Sequence, residues 1–399
     1  MIGLKEEWLK DIESRKDQII SYRRYLHQHP ELSFQEYETS QFIYDEMSKL
    51  SNVEVTRPTE TSVLVKIQGG KQGKRIGLRA DIDALPIQEQ REDLDFQSTV
   101  DGKMHACGHD GHTAILMVAT QFLANHAEEI EGEVYSIFQH AEELPPGGAQ
   151  EMVATGLFDD FDFIYGHHLF STIPLGTIDI KSGPNSGNSD LYELTIYGKG
   201  GHASAPNDTV DPIIVGSDIL NKIQTIVSRK LNPLNASVIS NTLFQGGSQN
   251  ALNVIPDTAL LGGSVRTNNT EDREFIAKEL EHIVKASCEA YGATYDLNYT
   301  MGYSAVQNNE KTTDIVKDIA ETLFPDHVEE LPATLGGEDF SAFSDIVPST
   351  YIWIGAGNTE KGFDYPHHHP KFAIDEDSFL IGVKMFVGVA MNYSSLADN

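Results

Sequence analysis

The chain of 399 residues carries 60 acidic against 29 basic side chains, a formal net charge of −31, and 40% of it is apolar. That balance excludes a protein that tracks a phosphate backbone or an anionic membrane surface, each of which needs clustered Lys and Arg. The length exceeds one ordinary core, so two domains, or one large domain with an insertion, are expected.

In chain order, Trp8, Leu9, Ile12, Ile19, Tyr22 and Leu26 fall at near-helical spacing before Pro30 and predict a long amphipathic helix. SVLVKIQGG and KRIGLRADID read as two strands around a Gly-rich turn. The helical HTAILMVATQFLANHAEE precedes the strand EVYSIFQHAEE, and the helical AQEMVATGL precedes the strand FDFIYGHHL. Strands alternating with helices predict βαβ units and a mostly parallel sheet in an α/β fold.

From Leu191 the pattern changes to strand (LYELTIYGKG), helix (209–229), two strands (SVISNTLF, TALLGGSVRT), helix (271–291) and strand (ATYDLNYT). That βαββαβ order is the split βαβ, or ferredoxin-like, α+β unit. It predicts an inserted domain over 186–300 within a catalytic domain formed by 1–185 and 301–399. The Gly/Ser/Asn-rich SGPNSGNS (182–189) is the expected hinge into it, and the stretch near Met301 the way out. Helical (310–323 and 376–394) and strand (STYIWIG) segments then resume the first domain.

Cys107 and Cys288 are too far apart in sequence for a disulfide framework, which predicts a reducing compartment and a cytoplasmic protein. The N-terminal segment is too charged for a signal peptide's apolar core. The apolar run Ala114–Ala119 is far short of the roughly 20 residues of a membrane span. Neither nucleic acid nor a membrane is an expected partner.

Metal-competent side chains gather at four places: Cys107, His109, Asp110 and His112; Glu142 and Glu143; His167 and His168; and His367, His368 and His369. Taken singly, each has an ordinary reading as helix capping, solvated surface, backbone-satisfied histidine or tag-like run. Three of the four, however, follow predicted strands or open a helix, where an open α/β sheet places its ligand crevice. Thiolate, imidazole and carboxylate suit Zn²⁺ and similar ions, and five ligands suit two ions sharing a bridge. Of two adjacent carboxylates, one can hold metal while the other moves the proton of an attacking water. A cysteine nucleophile at Cys107 with a histidine base is the rival, and it leaves the Glu pair and the distal histidines without work.

The chain resembles the aminoacylase-like metallopeptidase family that includes hippurate hydrolases, auxin-conjugate amidohydrolases and N-acetyl-diaminopimelate deacetylases. The motifs are LHQHPELSFQE, LRADIDALPI, MHACGHDGHTA, AEE followed by PGGA, GHH, GKGGHASAP, NVIPDTA, GGEDFS and HHPKF, in the family's order and over nearly the whole chain. The resemblance implies two divalent ions held by Cys107, His109, Glu143, His168 and His368, with Cys107 as the bridge and Glu142 as general base and acid. Mn²⁺ is the ion the resemblance favours; the thiolate suits Zn²⁺, and Co²⁺ is a further alternative. It also implies that the inserted domain is a lid and forms a homodimer, that His202 stabilises the oxyanion, and that Asn253 and Arg266 hold the substrate's carboxylate. Asp81 matches the segment that supports the ligands. Two departures from the pattern, His140 in place of a proline and His167 in place of an apolar residue, leave either His167 or His168 available as ligand. The H-x-P-x-F pattern selects His368 within the triple histidine. His112 and His105 are expected to serve structure, and the activity implied is hydrolysis of N-acyl amino acids. Small peptides are an alternative substrate, and a non-catalytic metal- or ligand-binding relative an alternative of another class.

Overall fold

The computed structural model describes residues 2–398. The chain divides into a larger unit, built from everything up to Asn185 together with Val306–Pro332 and the segment from Asp339 on, and a smaller unit of Ser186–Ala305 and Ala333–Glu338.

The larger unit opens with helices α1 (Glu6–Ser14), α2 (Lys16–Gln28) and α3 (Tyr37–Met47) and strands β1 (Val53–Thr56), β2 (Val63–Gln68) and β3 (Lys71–Asp81). It continues through α4 (His109–Asn125), β4 (Glu131–Gln139), α5 (Gly148–Val153), β5 (Phe163–Pro174), β6 (Ile178–Asp179) and β7 (Gly183–Pro184). The smaller unit follows with β8 (Asn188–Tyr197), β9 (Gly201–His202), α6 (Pro212–Arg229), β10 (Ser237–Gly246), β11 (Val254–Ile255), β12 (Thr258–Thr267), α7 (Thr270–Tyr291) and β13 (Thr294–Thr300). The larger unit is completed by β14 (Gln307–Asn308), α8 (Glu310–Leu323), β15 (Val328–Glu329), α9 (Ser341–Ser344), β16 (Ser349–Gly357) and α10 (Phe379–Ala397).

Two expectations about local structure are corrected. The predicted long first helix is two, broken at Arg15 (φ −91°, ψ 4°), whose guanidinium turns back onto Asp11 at 3.0 Å. Each piece buries its own stripe, Trp8 and Ile12 in α1, and Ile19 and Leu26 in α2. The strands on either side of the Gly-rich turn form but do not pair. The eight-stranded sheet runs β1-β2-β4-β3-β5-β16-β6-β15, so β4 lies between them, antiparallel to β2 and parallel to β3. The turn crosses the start of β4 so closely that a Cβ on Gly69 would stand 2.4 Å from the Gly132 carbonyl oxygen. Only a side-chain-free backbone fits there.

The central strands β4, β3, β5 and β16 are parallel. Their carboxyl ends therefore share one edge of the sheet. α4 and α10 are buried along much of their length. The stretch Glu376–Ala397 is long and apolar enough to cross a membrane, a length that Ala114–Ala119 lacks, but 67% of that apolar window is buried inside the fold. At the unit's margin β7 pairs with β14, Gly183 opposite Asn308 and Pro184 opposite Gln307.

The smaller unit has the strand order β10-β12-β8-β13, every neighbour antiparallel. With α6 and α7 as crossovers, this is the ferredoxin-like arrangement. Residues alternate along β8 between buried and exposed, so one face of the sheet is covered. Leu194, Ile196, Ile219, Ile223, Leu261 and Leu280 form the core beneath it. Asp211 caps α6 by accepting the Ile213 N–H ahead of Pro212, and Asn269 caps α7.

Candidate metal centre

The shared edge collects the polar groups. β3 ends at Asp81, with Asp83 two residues on. The chain leaves β4 through Ala141 into Glu142 and Glu143. Cys107 and His109 flank Gly108, whose left-handed backbone (φ 92°) opens α4. Ligand atoms of Cys107, His109 and His168 lie within 4.8 Å of one another, and so do those of Cys107, Glu143 and His368. The two groups meet at Cys107. Glu142 offers an oxygen within the same distance of His109 and Glu143.

Strand alternation separates the two adjacent histidines of β5. His168 directs Nε2 at the Cys107 sulfur, 3.5 Å away, while its Nδ1–H donates to the Leu169 carbonyl at 2.8 Å. The His167 ring lies on the opposite side, 4.2 Å from the Phe386 ring of α10. His368 sits at a left-handed backbone position (φ 64°), with its N–H bonded to the Ala106 carbonyl and Nε2 3.2 Å from Glu143 Oε1. Its neighbour His367 also reaches the thiol, Nδ1 to Sγ at 3.6 Å, a contact that sequence pattern did not single out.

His112 has no lone pair left for a cation. Its Nε2 accepts the Leu169 N–H at 2.9 Å, so Nδ1 carries the proton and donates it to Asp81 Oδ1 at 2.6 Å. Asp81 is held in turn by Arg79 at 2.7 Å. Asp110 points away from the sulfur, into a buried pair with Arg23 (2.9 Å) and His27 (2.7 Å) of α2. His105 is buried, and neither of its ring nitrogens has a hydrogen-bond partner among the described residues.

Sequence reasoning chose Asp81 as the supporting residue and passed over Asp83, which does more. One Asp83 oxygen takes the His109 Nδ1–H at 3.1 Å; the other accepts from Ser33 Oγ at 2.7 Å and from the Glu143 N–H at 3.0 Å. That fixes His109 with Nε2 facing Glu143, the carboxylate–histidine arrangement typical of metal ligands. The signal was present in LRADID, since residues two apart on an extended chain point the same way.

Ala141 adopts a left-handed conformation (φ 50°), unusual for a residue with a Cβ. Its N–H donates to Glu36 Oε1 at 2.8 Å. Burial, reinforced by the charge of Asp83, raises the Glu36 carboxyl to about 7, although the hydrogen bonds it accepts work against the rise.

The electrostatics call for positive charge at the centre. Burial alone would lower the His109 imidazole, yet Asp81, Asp83 and Glu143 outweigh it and raise the group to about 10. Burial, then Glu143, Glu142 and Asp81, push the Cys107 thiol well above its ordinary range. A free thiolate nucleophile is therefore disfavoured among these carboxylates, which argues against the cysteine-nucleophile rival. Divalent ions fit the residues present. Among the described residues, buried His109 Nε2 and Glu143 Oε1 have no hydrogen-bond partner, and Glu143 Oε1 and His368 Nε2 stand 3.2 Å apart without forming one. Lone pairs that converge in this way leave a cation to be shared.

The remaining three predicted residues lie in the smaller unit. His202 on β9 faces Val254 on β11, and the Ala203 N–H donates to the Asn253 carbonyl at 3.0 Å, so His202 and Asn253 are near neighbours, both exposed. Arg266 on β12 is partly buried, with Nε donating to Ser264 Oγ at 3.1 Å; burial lowers its pKa from the ordinary value.

The carboxyl ends of the parallel sheet thus gather thiol, imidazole and carboxylate groups that could hold metal ions. The sequence model of peptidase family M20/M25/M40 matches residues 77–392, and the chain belongs to that family. It is 42% identical over 307 residues to an N-acyl-L-amino acid amidohydrolase of Geobacillus stearothermophilus, covering 77% of this chain and 82% of that one. It is 38% identical over 397 residues to thermostable carboxypeptidase 1 of Saccharolobus solfataricus, covering 99% and 100%. The solved YxeP protein of Bacillus subtilis, a dinuclear metal-binding peptidase of the M20 family, superposes with a TM-score of 0.84 at 32% identity, covering 96% of this chain and 99% of that one.

Proposed function

We propose that the protein is an amidohydrolase that cleaves N-acyl amino acids into a carboxylic acid and an amino acid. The observation that carries this reading is the pair of ligand groups meeting at Cys107 with Glu142 beside them. Cys107, His109 and His168 would hold one divalent ion and Cys107, Glu143 and His368 the other, with Mn²⁺ the ion proposed and Zn²⁺ or Co²⁺ able to replace it. The chemistry such ions would supply when bound is polarisation of the scissile carbonyl and acidification of the attacking water. Glu142 accepts the proton that water loses as its oxygen bonds to the acyl carbon. It then delivers that proton to the nitrogen as the C–N bond breaks, so a neutral amine departs. Asp83 and Asp81 keep His109 and His112 in one tautomer and orientation throughout.

The same reading gives His202 to the oxyanion and Asn253 and Arg266 to the substrate carboxylate, for which the guanidinium fork is suited. It also includes a homodimer through the smaller unit, whose edge strand β10 exposes Val238, Leu243 and Phe244. Similarity to a carboxypeptidase at nearly the same identity supports a second reading, hydrolysis of small peptides from the carboxyl end. A panel of N-acetyl and N-benzoyl amino acids and of dipeptides, run after chelation and again after adding Mn²⁺, tests both. Turnover of the acyl amino acids that is abolished by chelator and restored by metal is expected. Preference for dipeptides would favour the second reading, and chelator-insensitive turnover or none would overturn both.

A further inference from the structure

The loop Ser33–Glu36 and the turn Ala141–Glu143 are far apart in sequence, yet two buried carboxylates tie them together. Glu36 is fully buried, and its Oε1 accepts two N–H groups, from Phe34 at 3.0 Å and Ala141 at 2.8 Å. Both donors belong to non-glycine residues in the left-handed region, Phe34 at φ 63° and Ala141 at φ 50°. Oε2 is fixed by the Thr61 hydroxyl at 3.0 Å. Asp83 makes the second tie, taking Ser33 Oγ and the Glu143 N–H on a single oxygen.

A left-handed residue with a Cβ persists only where its surroundings over-determine it. At Ala141 the constraint on the N–H is Glu36, and on the carbonyl it is the Gly148 N–H at 3.0 Å. The next two residues are the proposed general base and a proposed metal ligand, neighbours that must face different tasks. We infer that Glu36 is a positioning residue, whose hydrogen bond to Ala141 sets the backbone twist that aims Glu142 and Glu143. It touches neither substrate nor metal and acts through the turn. This inference rests on the proposed function for the roles of Glu142 and Glu143.

The role is one of geometry, so an amide should serve. In Glu36→Gln the amide oxygen can keep both N–H groups while its NH₂ turns to Thr61, whose hydroxyl can accept. Glu36→Ala leaves the buried Ala141 N–H and the half-buried Phe34 N–H without this acceptor. Co²⁺ binding, followed by visible absorption and stoichiometry, reads the ligand geometry independently of turnover; kcat and KM on the best N-acyl amino acid follow. Glu36→Ala is expected to weaken the second Co²⁺ at least tenfold and to lower kcat at least tenfold with KM within threefold. Glu36→Gln should stay within threefold of wild type on every measure. Unchanged Co²⁺ binding in Glu36→Ala, or equal damage in Glu36→Gln, overturns the inference. Should Glu36→Ala fail to fold, Thr61→Val decides: a two- to fivefold weaker second Co²⁺ supports the inference, and wild-type binding overturns it. Wild-type protein that binds two Co²⁺ but hydrolyses no N-acyl amino acid would sink the proposed substrate while the Co²⁺ comparison still judges Glu36.

Discussion

The larger unit buries Glu36, Asp81, Asp83 and Asp110 at 1% exposure or less, together with Arg23 and Arg79. The smaller unit is held by branched apolar side chains, and an ion pair it buries, Arg273 with Asp190, closes on itself at 2.5 Å with Tyr299 donating to the same carboxylate. The contrast lies in how many buried acidic groups gather at one place. In the smaller unit, each charged group of that pair meets its partner. Around Cys107 stand the carboxylates of Glu143, Glu142 and Asp81, and His109 Nε2, Glu143 Oε1 and His367 Nε2 there have no hydrogen-bond partner among the described residues. Gathering buried carboxylates at one place is costly, so a fold that does so is shaped around something that supplies positive charge there.

The sharpest way to probe that difference is to remove the proposed base without its charge-bearing neighbour. Glu142→Gln should lower kcat about 10³-fold, roughly 4 kcal/mol of barrier, while both metal ions stay bound by elemental analysis. Glu143→Ala should do the reverse, losing at least one of the two ions; a retained stoichiometry would break the assignment. Next comes the support behind α4. Asp110→Ala removes the carboxylate that buried Arg23 and His27 share, leaving Arg23 to Glu376 at 3.3 Å and His27 to Glu89 at 3.1 Å, and should cost about 3 kcal/mol in denaturant unfolding of the larger unit. In the smaller unit the comparable injury is a cavity. Ile219→Ala should cost about 2–5 kcal/mol and leave metal content unaltered. If it emptied the metal centre, the separation between the two kinds of interior would fail.

The smallest effect is a pH slope. Burial, then the charge of Asp162, pushes the Tyr393 phenol up to about 12. Its folded value exceeds the unfolded 10, so the stability carried by the neutral phenol is complete below pH 10 and is lost as pH rises through 12. Tyr393→Phe, which keeps the ring stacked 4.1 Å from Phe163, should remove a slope of at most about 1.4 kcal/mol per pH unit in that window. An unchanged alkaline profile would assign the loss elsewhere.

The strands and the βαββαβ order were legible because their apolar periods are strong and their ends carry turn residues or caps. The site's clusters were legible because thiol, imidazole and adjacent carboxylates are conspicuous at strand ends. What escaped was set by three-dimensional register. Which of His167 and His168 faces Cys107 depends on the phase of β5, invisible in a pair of identical neighbours. The insertion of β4 between β2 and β3 is a non-local pairing that no local pattern encodes. The α3 segment mixes Thr39 and Ser40 into its buried face and so gave no clear helical stripe. Asp83 and Glu36 escaped because a carboxylate acting as a buried acceptor is written with the same letter as one on the surface.

The pairing of β7 with β14 bears on modularity. Gly183–Pro184 and Gln307–Asn308 run side by side, with the Asn185 N–H bonded to the Val306 carbonyl at 2.9 Å just beyond them. Topologically, then, the larger unit treats the long excursion between them as the loop of a hairpin already zipped at its base. The entropy of closing a loop grows only logarithmically with its length. A chain in which a two-residue turn joins Asn185 to Val306, both buried in the larger unit, should therefore keep the parallel sheet and its Co²⁺ spectrum. By the same logic, that junction is the natural place to graft a foreign domain.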